Sequence, residues 1–219
     1  MAKEEGDGNV QDFSKDSFEL RLLMAYIQRR RPPDKQLEQS NANRETVETH
    51  SELTNGGPQP AMLESKEKDL GAMAQKLTEI AESVHIIPEY LETDGDEDDV
   101  QKIVEMLREY GDRLNEQIER NHALVQTLRN SFESYSFFAK VADAFLKRLS
   151  PAEIPSTQDN KQTKLALICE ITSRLTAIDN HPMNQIMGFG AKYLQEHFSS
   201  WINTQGGYEK VLGVEEEVH

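Results

Sequence analysis

Apolar side chains recur every three or four residues across residues 16–31, with Phe18, Leu22 and Ala25 on one line and Leu20, Leu23 and Ile27 on the next. That spacing puts them on one side of an α-helix. Asp16 or Ser17 can cap its start, the arginines at 29–31 suit the negative end of its dipole, and Pro32-Pro33 stops it. The period then vanishes over residues 32–66, which are rich in Gln, Asn, Glu, Ser and Pro. Few side chains there can offset the entropy of ordering, so a disordered loop is expected after the first helix. Periodicity returns over residues 65–86, where Leu70, Met73, Ala74, Leu77, Ile80, Ala81 and Val84 share a face and Pro88 ends the run. An acidic linker over residues 92–99 leads to a long third helix over residues 98–121.

The rest of the chain alternates helix and break. Residues 124–149 hold the aromatic cluster Phe132, Tyr135, Phe137, Phe138 and Phe145, with a break near Ser134, and Pro151 and Pro155 mark a loop. Residues 164–178 are the most hydrophobic helical stretch. Past Asp179-Asn180-His181, Pro182 sits at a plausible first helical position, and a partner helix runs to about His197. Two short helices are expected around Trp201 and Gly206-Gly207. No alternating strand pattern and no internal repeat occur. The pattern predicts an all-α protein. Its parts are a flexible tail (1–15), a first helix (16–31), a loop (32–66), a helical domain (67–213) and an acidic tail (214–219).

At 219 residues the chain fits one domain with tails. Its net charge of -15 argues against nucleic acid as a partner, because a phosphate backbone needs a cationic face. It equally disfavours attachment to anionic lipid. The acid concentrates at residues 94–99 and 215–217, which read as solvated, self-repelling runs. Partners are therefore expected to be proteins reached through apolar contact. The lone Cys169 has no internal disulfide partner and sits in an apolar run, so a core position is expected. Residues 1–10 are acidic and glycine-rich, and no run approaches the ~20 apolar residues of a transmembrane helix. The expectation is a cytosolic protein without a membrane anchor. The six histidines form no short-spaced ligand set with Cys169, and residues 94–99 lack the ligand spacing of a calcium loop. Without a phosphate loop, dinucleotide fingerprint or nucleophile elbow, no cofactor and no enzymatic activity are expected.

The strongest pattern lies in residues 100–118. Ile103, Leu107, Tyr110, Leu114 and Ile118 form one continuous apolar stripe. Gly111 lies mid-helix, where glycine costs about 1 kcal/mol relative to alanine. Asp112 follows it and can meet a cation on an opposing surface. This arrangement resembles the third homology region of the Bcl-2 family: Ile103, Leu107, Tyr110 and Leu114 match its four anchors, and Gly111-Asp112 its signature pair. A second stretch, Trp201-Ile202 followed by Gly206-Gly207 and Tyr208, resembles the family's second homology region, with Tyr208 where tryptophan is more usual. The glycine pair suits a left-handed turn, and a buried indole would lock a helix end.

The resemblance implies a Bcl-2-like bundle around a central hydrophobic helical hairpin. It also implies an apoptosis regulator, pro-apoptotic in direction, whose homology-three helix contacts pro-survival relatives. The chain departs from the family at its first homology region. Where Asn-Trp-Gly-Arg is usual, it reads Lys161-Gln162-Thr163-Lys164, leaving Lys164 as a possible groove cation without the bidentate fork of arginine. Two readings stay open: a death regulator that uses the 103–114 stripe, or an adaptor that keeps the fold without a functional groove.

Overall fold

Ser17 opens the first helix, its hydroxyl accepting from the Leu20 N–H at 3.2 Å, and α1 follows as Phe18–Arg30. The computed structural model describes residues 17–30, 60–87, 99–110, 132, 134–156, 159–176 and 185–214, without the side chains of 60–68 and 110. Helix α2 spans Pro60–Ser83 and so begins before residue 65, taking up the end of the stretch expected as loop. Proline at the first helical position loses no hydrogen bond and arrives with a helical φ. Helix α3 is Asp99–Tyr110. In α4 (Tyr135–Lys147) the expected break near Ser134 is a cap, because the Ser134 side chain accepts from the Phe137 N–H.

Helix α5 (Asn160–Leu175) starts four residues before the expected Lys164. Asp159 explains the difference, since its Oδ1 accepts from the N–H groups of Lys161 at 2.7 Å and Gln162 at 3.2 Å. Ten of its sixteen residues are buried, so α5 is enclosed on nearly all sides. It packs against α1, α2, α4 and α6. Helix α6 is a single element, Gln185–Gln205, which absorbs the first of the two short helices expected around Trp201. It stops where Gly206 and Gly207 take φ of 94° and 106°, the Gly207 N–H returning to the Ile202 carbonyl at 3.0 Å. Helix α7 (Tyr208–Leu212) closes the described chain.

The central pair α5–α6 approaches closely. A Cβ on Gly190 of α6 would lie 2.5 Å from Thr172 Oγ1 of α5. Aromatic rings of α4 and α6 fill one flank, Phe138 standing edge-on to Tyr193 at 6.3 Å. Cys169 is fully buried on α5. Every element of the described residues is helical, and they pack as a bundle around a hydrophobic central pair, consistent with the expected Bcl-2-like bundle. Among the described residues no helix is long and apolar enough to cross a membrane.

Candidate functional site

Helix α3 carries the first half of the stripe. Ile103 and Leu107 are 2% and 0% exposed, and Val100 and Val104 are buried beside them. Among the described elements, their main packing partner is α4. Tyr110 is the last residue of α3. Its side chain, with Gly111, Asp112 and Leu114, lies outside the described residues. The structure therefore places two of the four anchors together, and both face inward.

Charged groups fasten the same helix. Arg108 is buried, and its Nη2 donates to Glu153 Oε1 at 2.7 Å and to the Ile87 carbonyl at 2.9 Å. Its Nη1 reaches the Arg148 carbonyl at 3.4 Å. Glu153, equally buried in the loop after α4, also accepts from the backbone N–H of Ile87 at 2.8 Å and of Ser150 at 2.7 Å. Burial alone would raise its pKa. The two backbone donors and the Arg108 guanidinium outweigh that and hold the carboxyl below the usual carboxylate range. One carboxylate thus joins the segment after α2, the loop after α4, and α3. On the other side, Arg148 pairs with Glu105 at 3.7 Å and bonds Gln101.

A second buried centre lies on α5. Glu170 accepts from Tyr26 Oη at 2.6 Å, from Arg30 Nη2 at 2.6 Å and from Arg174 Nε at 2.8 Å. Burial again pushes its pKa up, but the Arg30 hydrogen bonds and the Arg174 charge win, and the carboxyl is depressed. Burial, then the charge of Glu170, pushes the Tyr26 phenol well above its ordinary value. Arg174 extends the network to α3 by donating from Nη1 to the Leu107 carbonyl at 3.3 Å.

The second homology-type segment is divided between two helices. Ile202 is buried in α6, and Trp201 is half-buried against the core, with Lys161 Nζ 5.6 Å above its ring. The Tyr208 ring packs against Phe18, tilted by 35° with centroids 4.7 Å apart, and its hydroxyl donates to Glu19 at 3.4 Å, tying α7 to α1. Lys164 is half-buried on α5 and joins no ion pair among the described residues. No group of three or more His, Cys, Asp or Glu able to hold a metal occurs among them either.

Sequence reasoning missed Arg108, Glu153 and the joining role of Glu170. Arg108 left a trace: it continues the line Val100–Val104 at four-residue spacing, a charge where an apolar residue belongs. Glu170 interrupts an apolar run in the same way.

No protein-family model and no solved structure matches the chain. Curated relatives do. The apoptosis facilitator Bcl-2-like protein 14 of Mus musculus is 41% identical over 124 residues, covering 57% of this chain and 37% of that protein. The Homo sapiens protein of that name is 42% identical over 124 residues, and the Rattus norvegicus protein 42% over 127, with the same coverage. The chain spans about 37% of the length of the curated relatives it matches. At 41–42% identity over 57% of the chain in these three species, the matches support a Bcl-2 family relationship.

Proposed function

We propose that this protein is a non-catalytic regulator of apoptosis that works in the cytosol through protein–protein contact, with the helix beginning at α3 as its contacting element and pro-survival Bcl-2 relatives as its partners. The observation that carries the reading is the continuous apolar face of Val100, Ile103, Val104 and Leu107, in the segment whose sequence has the family's anchor spacing. Four such side chains supply about 6–12 kcal/mol on burial, at ~1.5–3 each. Association and ordering take back at least about 4 kcal/mol. The pro-apoptotic direction follows the printed name of the relatives.

In the structure that face is spent on α4, so a partner must compete with the protein's own core. Apparent affinity then falls by the fraction of molecules in which α3 is open. Fluorescence polarisation with a labelled peptide of residues 98–121 and one pro-survival relative tests the reading. Saturable peptide binding, lost on Leu107→Glu, is expected, with the intact protein a weaker competitor than the peptide. No saturable binding at high micromolar peptide would sink it. The burial of Ile103 and Leu107 favours one other reading, an adaptor in which the stripe is only core.

A further inference from the structure

Resting on that reading of α3, we propose that Glu153 is the keeper of a latch that holds the partner-contacting helix shut. Three observations lead there. Among the described residues, helix α3 packs mainly on one element, α4, whereas α5 packs against four. The Glu153 carboxylate ties its own loop to two other segments, the one after α2 and α3, and its tie to α3 is the ion pair with Arg108 at 2.7 Å. Finally, the Arg108 side chain is 4% exposed and lies on the hidden face of α3, one residue past Leu107.

A buried guanidinium is tolerated only while its charge is met, and removing one partner of such a pair leaves an uncompensated charge in a poor solvent. The least costly relief is local. Swinging α3 away from α4 returns Arg108 to water and exposes Val100, Ile103, Val104 and Leu107 together, and costs α5 the Arg174 bond to the Leu107 carbonyl while its packing against α6 stays in place. The remaining ties are Arg108 to the Ile87 and Arg148 carbonyls, Arg174 to the Leu107 carbonyl, and Arg148 to Glu105 and Gln101, and none of them brings a counter-charge to Arg108. The latch thus couples one charge to one apolar face.

Amide hydrogen exchange of the full chain, followed residue by residue, tests this without any partner. In Glu153→Gln the amides of Ile103 to Leu107 are expected to exchange on the order of 100-fold faster, while those of Leu165 to Ile171 in α5 keep their protection. Glu153→Asp retains the charge at shorter reach and serves where the glutamine variant fails to fold, with a smaller acceleration confined to α3. Unchanged α3 exchange overturns the proposal. So does an equal acceleration in α3 and α5, which would make Glu153 an ordinary structural residue. If exchange responds as expected but Glu153→Gln competes no better than wild type for the pro-survival relative, the latch stands and the partner reading falls.

Discussion

Gly190 and Thr172 set how near the two central helices come. A methyl group at position 190 meets Thr172 Oγ1 at 2.5 Å and Cγ2 at 2.6 Å, both inside van der Waals contact. Gly190→Ala is therefore expected to destabilise by about 1–3 kcal/mol through overpacking, despite alanine's better helix propensity. Thermal unfolding should show it as a fall of about 2–4 °C per kcal/mol for a chain of this size. Adding Thr172→Ala removes the colliding atoms and should restore much of the loss, so the two substitutions will not be additive. Single positions of this kind were only half legible in the chain. The Gly111-Asp112 pair drew attention because glycine is costly mid-helix, and Cys169 because its neighbours are apolar. Glu153 gave no warning. It sits past Pro151 in a stretch without period, and its partner Arg108 is 45 residues away, a pairing only the folded chain creates.

Elements depend on their ends as much as on their faces. The apolar run from Leu165 placed α5 correctly but set its start too late, because Asp159 and the first turn carry no apolar period. An aspartate capping two N–H groups contributes roughly 1 kcal/mol, and Asp159→Ala should lower the urea midpoint accordingly. The same substitution leaves the Glu170 network untouched, so circular dichroism should report an unchanged helical fold. Helix α6 taught the opposite lesson. Its apolar period is broken near His197 by polar residues, yet Phe198 and Ile202 keep the buried line going, and only the two glycines end the helix. Helix α3 was the most legible element, since one stripe announced both its period and its importance. What the stripe alone left open was direction: the same spacing serves a partner's groove or the protein's own α4.

At the scale of the molecule, the two buried carboxylates make stability depend on acid. Glu153 and Glu170 both have folded pKa values below the ordinary 4.5, so each remains charged in the fold while it would bind a proton in the unfolded chain. Their contribution is fully present above that ordinary value and is lost as pH falls through the depressed folded values. Urea midpoints measured from pH 7 down to pH 3 should decline across the acid range, and Glu170→Gln should flatten the decline. The helical class was readable from periodicity, and the central pair from the apolar run of residues 165–169 in the middle of α5. The polar groups that join α1, α5 and α3 were not, because Tyr26 and Arg30 stand 144 and 140 residues from Glu170 in the chain. The same enclosed helix also carries the chain's one thiol. Cys169 is fully covered, and burial pushes its pKa well above the thiol range, so a thiol reagent meets neither an accessible sulfur nor a thiolate. The protein thus contains its own stopwatch: the rate at which a disulfide reagent titrates native protein reads how often α5 is laid bare, and a cysteine introduced on the outer face of α3 would be labelled against a silent background.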